Sequence, residues 1–129
     1  MNYLDKDFAK VYDDGKHKDT VVLEWGEIFQ TKAFIQEAVN AVLDAVKTQK
    51  KTKLLALIKA KSYENSGLEW LVAEWYTTAY AAGLKKIAHL MGAKALAEIA
   101  AEKVSTMDKS GMLFFNTSNV DEAYTWLNS

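Results

Sequence analysis

A short apolar run in the middle of the chain, Leu54-Leu55-Ala56-Leu57-Ile58, limits the possible folds more than any other feature of this sequence. Amphipathic helical patterns flank the run, one over residues 34–46 and the other over residues 68–82. A continuous apolar run of this length is typical of a strand that is covered on both faces of a sheet. We therefore predict an α/β fold in which this run is a central strand.

Four other segments have the pattern of strands. Residues 8–12 alternate apolar and polar side chains, and residues 20–25 follow as a second strand. The dipeptide Asp14-Gly15 stands between them, and Asp-Gly is a favoured hairpin turn, so these two strands are predicted to be antiparallel neighbours. Residues 86–91 and 112–115 are predicted as the fourth and fifth strands.

Helices are predicted between these strands. Thr31 is a suitable N-cap for the first helix, which carries an unbroken apolar stripe. A third helix is predicted over residues 93–107, and Ser118 or Asn119 is expected to cap a short last helix. The resulting order is β-β-α-β-α-β-α-β-α, which predicts one domain over residues 1–129 with a mixed five-stranded sheet and a hairpin at one side.

The composition excludes several classes of function. All 16 basic residues are lysine and the net charge is −1, so the charge favours neither nucleic acid nor an anionic membrane. The absence of cysteine excludes disulfides, thiol catalysis and thiolate metal sites. No apolar run approaches the length of a membrane span, and the first residues are too charged for a signal peptide. We therefore expect a cytoplasmic protein without membrane insertion.

The segment between the central strand and the second helix, residues 62–68, is the first candidate site, and we call it the junction loop. Its polar residues and glycine stand where the amides of a helix start have no partner within the helix. Asn65 or Ser66 is expected to cap the helix, which is the commoner role of such residues. The same position favours a phosphorylated serine or a docking contact, because a helix N-terminus stabilises negative charge. The candidate residues are Ser62, Glu64, Asn65, Ser66 and Gly67.

The second helix carries two strips of large side chains. Trp75 belongs to the strip that fits a core, while Trp70, Tyr76 and Tyr80 fall on an adjacent face at helical spacing. A helix packed on one side only does not need the second strip. Three explanations are open: the C-terminal helix covers the strip, the strip lines an apolar pocket, or it meets a second copy of the protein.

No group of residues has a catalytic or metal-binding pattern. His17 and His89 are far apart in the sequence, and a histidine within a strand, such as His89, is most often a structural residue. Two such histidines without cysteine or clustered carboxylates give no metal-ligand spacing, and no phosphate-binding glycine motif occurs. We therefore expect no enzyme activity, metal or cofactor, and an enzyme that uses Glu64 or His89 is only the third alternative.

The stretch Glu64-Asn65-Ser66-Gly67-Leu68, after an apolar strand and at the start of a helix, resembles the Asp-Ser-Ser/Thr-Gly-Leu signature of STAS domains, the family of bacterial anti-sigma-factor antagonists. The N-terminal hairpin, residues 70–75 and the closing residues 121–127 are similar to the SpoIIAA-like branch, small proteins related to the lipid-binding Sec14 fold. The serine that this family phosphorylates corresponds to Asn65, which cannot be phosphorylated, and Ser66 matches the next position.

The resemblance implies a SpoIIAA/STAS-like α/β domain with a protein-docking surface or a Sec14-like apolar cavity. The first function that we expect is non-catalytic, regulatory recognition, in which the junction loop and the following helix bind a protein partner or form a homodimer. The alternative is a carrier of a small apolar molecule or lipid. Its pocket is expected near Trp70, Trp75, Tyr76 and Tyr80.

Overall fold

A mixed β-sheet forms the centre of the fold in the computed structural model, which describes residues 2–60, 62–91 and 111–129. The described part contains six strands, which lie side by side in the order in which they occur along the chain. They are β1 (Asn2–Asp5), β2 (Ala9–Asp13), β3 (Thr20–Trp25), β4 (Lys53–Ile58), β5 (Lys86–Met91) and β6 (Leu113–Thr117). β1, β2 and β3 are antiparallel neighbours, and β3 to β6 are parallel.

This sheet confirms the α/β class, the mixed strand directions and the N-terminal hairpin, which is formed by β2 and β3. The prediction of five strands is corrected by β1, a sixth strand at the edge of the sheet. Residues Asn2–Asp5 have no fully buried side chain, so the sequence lacks the apolar alternation by which strands are recognised. β1 is held by its backbone pairing with β2 and by the Tyr3 hydroxyl, which donates to Asp13 Oδ1 at 2.6 Å.

The described helices follow the predicted pattern. They are α1 (Lys32–Gln49), α2 (Asn65–Trp70), a π-helical segment (Leu71–Trp75), α3 (Tyr76–Ala82) and α4 (Val120–Leu127). Thr31 caps α1 as predicted, because its hydroxyl accepts a hydrogen bond from the backbone N–H of Phe34 at 3.2 Å. Asn119 caps α4 by accepting from the N–H of Glu122 at 3.1 Å. The helix predicted over residues 93–107 lies outside the described residues.

The π-helical segment interrupts what the sequence predicted as one regular α-helix. It joins α2 and α3 directly, so residues 65–82 form one continuous helical stretch with a wider turn in the middle. A π turn accommodates one extra residue and therefore changes which face the following residues present. Trp75 and Tyr76 are adjacent in sequence, yet both are buried, with 2% and 4% of their surfaces exposed. Tyr76 thus belongs to the core and not to a separate surface strip.

Two hydrophobic cores lie on opposite faces of the sheet. α1 and the helical stretch of residues 65–82 cover one face and form the larger core, whereas α4 covers the other face against β5 and β6. The central strand β4 contributes to both cores, since Ala56 faces the larger one and Leu55 the smaller one. This confirms that β4 is buried on both faces. Because α4 lies on the opposite face of the sheet, it does not cover the aromatic strip of the second helix.

Within the described residues, no helix combines the length and the apolar content that crossing a membrane requires.

Candidate functional site

The junction loop is tied to the loop that connects β3 to α1. Tyr63 forms an isolated parallel bridge with Gln30. On either side of Tyr63, the N–H of Gln30 donates to the carbonyl of Ser62 at 3.1 Å, and the N–H of Glu64 donates to the carbonyl of Gln30 at 2.8 Å. These bonds hold the starts of α1 and α2 side by side at the carboxyl ends of β3 and β4.

Glu64 has a structural role in this arrangement. Its carboxylate accepts one hydrogen bond from the backbone N–H of Lys32 at 2.7 Å and another from the Ser66 hydroxyl at 3.0 Å. The bond from Lys32 and then the bond from Ser66 lower the pKa of the Glu64 carboxyl below its ordinary value. The carboxylate therefore satisfies a free amide in the first turn of α1, the neighbouring helix.

The prediction that Asn65 or Ser66 caps the second helix is wrong. Glu64 occupies the N-cap position of α2, but its side chain makes no capping bond to a backbone N–H of that helix. Asn65 and Ser66 are the first helical residues, and both are exposed. The cap shifts because the Glu64 side chain is drawn to α1, where the Lys32 amide lacks a partner within its own helix.

Gly67 allows α1 and α2 to approach each other closely. It is buried, and a Cβ atom at this position would lie 2.5 Å from Cδ1 of Ile35 and 3.2 Å from Cα of Lys32. Any other residue requires the Ile35 side chain and the nearby backbone of Lys32 to shift. Of the five predicted site residues in the junction loop, Glu64, Ser66 and Gly67 thus have a clear structural task. Ser62 takes part through its backbone carbonyl.

A cavity of about 50 Å³ lies in the larger core, between the sheet and the helical stretch of residues 65–82. It reaches the carboxyl ends of the parallel strands, because Trp25 and Ile58, the last residues of β3 and β4, line it. Leu71 and Trp75 of the π-helical segment form part of the opposite wall. The other lining residues are Leu23, Val39, Leu54, Ala56, Tyr63, Leu68, Tyr76, Ile87 and His89.

Two polar atoms that belong to lining residues of the cavity lack a hydrogen-bond partner. These are the Tyr63 hydroxyl and Nε1 of Trp75, which are buried and have no partner among the described residues. Burial also raises the pKa of the Tyr63 phenol well above its ordinary value. Leaving such a group unpaired costs about 1–3 kcal/mol. A third unpaired atom, Oε1 of Gln30, belongs to a residue that does not line the cavity.

His89 contributes a neutral polar group to the same wall. Its Nδ1 is 2.8 Å from Oδ1 of Asn116 on the neighbouring strand, so Nδ1 carries the proton and Nε2 is left as an acceptor. Burial lowers the pKa of His89, and the bond to Asn116 offsets this only in part. The imidazole is therefore uncharged at neutral pH, and none of the lining residues that the structure describes carries a charge. This agrees with the interpretation of His89 as a structural residue.

The structure brings together only part of the predicted aromatic group. Trp75 and Tyr76 line the cavity, whereas Trp70 and Tyr80 are half-buried and lie outside its lining. Sequence reasoning missed Trp25 and Tyr63, whose rings meet edge to face with centroids 5.6 Å apart. The available signal was their position, at the end of β3 and soon after the end of β4, where α/β folds concentrate functional side chains.

The residues suggested for catalysis are not assembled into a site. His89 lines the cavity, but Glu64 does not and is engaged by Lys32 and Ser66. Over residues 2–60, 62–91 and 111–129, no group of three or more histidines and carboxylates is positioned to hold a metal ion. The arrangement can bind an uncharged molecule, since its walls are apolar and two of its polar atoms are unpaired.

No family model matches the chain, and no curated protein shows significant similarity to it.

Proposed function

We propose that this protein is a non-catalytic, SpoIIAA/STAS-like binding protein that holds a small molecule in the cavity between its sheet and the helical stretch of residues 65–82. The observation that carries the proposal is the pair of buried, unpaired polar atoms, the Tyr63 hydroxyl and Nε1 of Trp75, on residues of a lining whose other described members are apolar except for His89. Buried polar groups in folded proteins nearly always have a partner. A bound molecule supplies that partner.

The position of the cavity supports the same function. In α/β folds, ligands bind at the carboxyl ends of parallel strands, and this cavity reaches the ends of β3 and β4 at Trp25 and Ile58. A π-helical turn is also a frequent feature of functional sites, and Leu71 and Trp75 of that turn line the cavity.

The size of the cavity restricts the bound molecule. Its volume is about 50 Å³, against ~150 Å³ for an engineered apolar cavity that binds benzene. A molecule of a few heavy atoms fits the cavity as it stands. A larger molecule, such as a lipid chain, requires the helical stretch to move away from the sheet.

A pair of alanine substitutions tests this function. Ala56 lines the cavity, and Ala88 is buried on the other face of the sheet in the smaller core. Ala56→Val fills the cavity, so we expect the free energy of unfolding to change by less than about 1 kcal/mol. Ala88→Val overpacks a filled core and costs about 1–3 kcal/mol.

Binding is then measured by NMR titration of each variant with 2-methylpropene, a small apolar probe. We expect saturable shifts at cavity-lining methyl groups in the wild type and in Ala88→Val, and none in Ala56→Val. A wild-type protein that gives no saturable shift, either with 2-methylpropene or with acetone, a polar probe of the same size, would rule out this function.

A second candidate, recognition of a protein partner or of a second copy, is favoured by an exposed apolar pair. Ile28 and Phe29 are 45% and 50% exposed, and they immediately precede Gln30, which is bonded to the junction loop. Exposed apolar groups beside the junction loop favour a protein–protein interface at this place. Sedimentation velocity over a range of concentrations tests self-recognition. Association that Phe29→Ser abolishes supports it, and a monomer at every concentration excludes the homodimer.

A further inference from the structure

We propose that the molecule bound in the cavity is uncharged and carries a carbonyl oxygen. This oxygen accepts hydrogen bonds from Nε1 of Trp75 and from the Tyr63 hydroxyl. This inference rests on the proposed function and specifies the class of ligand. It follows from the donors on the lining residues and from the absence of charged side chains among the lining residues that the structure describes.

The donors in the wall determine what the ligand must present. An indole N–H can only donate a hydrogen bond, so the unpaired Trp75 requires an acceptor. The Tyr63 hydroxyl also donates, and a carbonyl oxygen has two lone pairs that can accept from both groups. A hydrocarbon makes only apolar contacts in the cavity and leaves both polar atoms without a hydrogen bond.

The walls disfavour charged ligands of either sign. An anion finds no cationic side chain among the lining residues, and it loses its hydration on entry. A cation is attracted by aromatic faces such as those of Trp25 and Tyr76. However, an ammonium group is itself a donor and leaves the indole N–H of Trp75 unpaired. A neutral acceptor is the class that fits both the polar and the apolar parts of the wall.

Most of the described lining is apolar, with Leu23, Ile58 and Leu71 among its members. A molecule with an apolar body and one acceptor can bond to both polar atoms and also fill the apolar space.

A matched pair of probes tests the inference. Acetone and 2-methylpropene have the same shape and number of heavy atoms, but only acetone has an acceptor. Each is titrated into the wild type, and the indole N–H resonances of the four tryptophans are followed by NMR. Trp75→Phe identifies the Trp75 resonance and removes the donor. Tyr63→Phe removes the hydroxyl, and Trp126→Phe, on the opposite face of the sheet, is the control.

We expect acetone to bind at least about fivefold more tightly than 2-methylpropene and to move the Trp75 indole resonance downfield. Trp75→Phe and Tyr63→Phe each lower the ratio of acetone affinity to 2-methylpropene affinity about fivefold, while Trp126→Phe leaves this ratio unchanged. Equal affinities for the two probes would overturn the inference that the ligand carries an acceptor, while the proposed binding function of the cavity would stand. Binding of neither probe would overturn both.

Discussion

The side chain of Ile35 occupies the space that a Cβ atom on Gly67 would need, since Cδ1 of Ile35 would lie 2.5 Å from it. This contact lies between the starts of α1 and α2. The junction loop lies at the same place, tied to the loop before α1 through Gln30. The glycine that resembles part of a family signature therefore has a packing role, since a side chain at this position would displace Ile35.

Gly67→Ala is expected to destabilise the protein although alanine is a better helix former than glycine. Overpacking lowers the free energy of unfolding by about 1–3 kcal/mol, whereas the higher helix propensity of alanine raises it by less than about 1 kcal/mol. Ile35→Val removes the Cδ1 atom that the new methyl group would meet. Urea unfolding of the single and double variants should show that Gly67→Ala costs less in the Ile35→Val background. Gly15→Ala, with no atom within 4 Å of its Cβ, is the control.

Glu64→Gln is expected to remove a pH-dependent part of the stability. The folded-state pKa of Glu64 lies below its ordinary value of 4.5, because the carboxylate accepts bonds from Lys32 and Ser66. This contribution is therefore present above pH 4.5 and is lost as the pH falls through the folded-state pKa. Unfolding free energies of the wild type and Glu64→Gln should converge on acidification. A constant difference between them down to pH 3 would contradict the assignment, and Glu69→Gln is the exposed control.

His89 is expected to titrate below its ordinary pKa of 6.5 in the folded protein, because burial disfavours the imidazolium. Below pH 6.5 the unfolded chain takes up a proton that folded His89 does not. Stability is therefore full above this pH and falls as the pH drops toward the folded-state pKa. NMR titration of the imidazole C–H signals, with His17→Gln for assignment, measures the pKa directly. A value at or above 6.5 would contradict burial of a neutral ring.

Leu127→Ala tests whether α4 is an integral part of the fold. Leu127 is fully buried in the smaller core, where it packs with residues of β3, β4 and β5. Truncating such a leucine costs about 2–5 kcal/mol. Val120→Ala, at the 45% exposed start of the same helix, should cost much less. Thermal unfolding compares the two variants, and equal effects would show that α4 does not cover this face.

Much of the fold can be predicted because its patterns are local. The strands predicted over residues 20–25 and 86–91 have the same bounds as β3 and β5, and Thr31 caps α1 as its position indicates. β1 could not be predicted in this way. Its side chains are only partly buried, and it is defined by pairing with β2.

The candidate site depends on tertiary contacts that leave little trace in the sequence. The π-helical turn buries Trp75 and Tyr76 together, whereas regular helical spacing assigns them to different strips. The Glu64 side chain acts on α1, 32 residues away in sequence. Trp25 and Tyr63 meet only when the ends of β3 and β4 are adjacent in the folded sheet. Sequence patterns thus located the region of the site but not its composition.

A crystal structure of the protein under xenon pressure tests the central claim most directly, since xenon enters apolar cavities and is located by its scattering. We expect a xenon atom in the larger core, between Ala56 of β4 and Trp75 of the π-helical segment. We expect this atom to be absent from Ala56→Val crystals. Wild-type crystals in which no xenon occupies this cavity would contradict the claim that the protein holds a small molecule there.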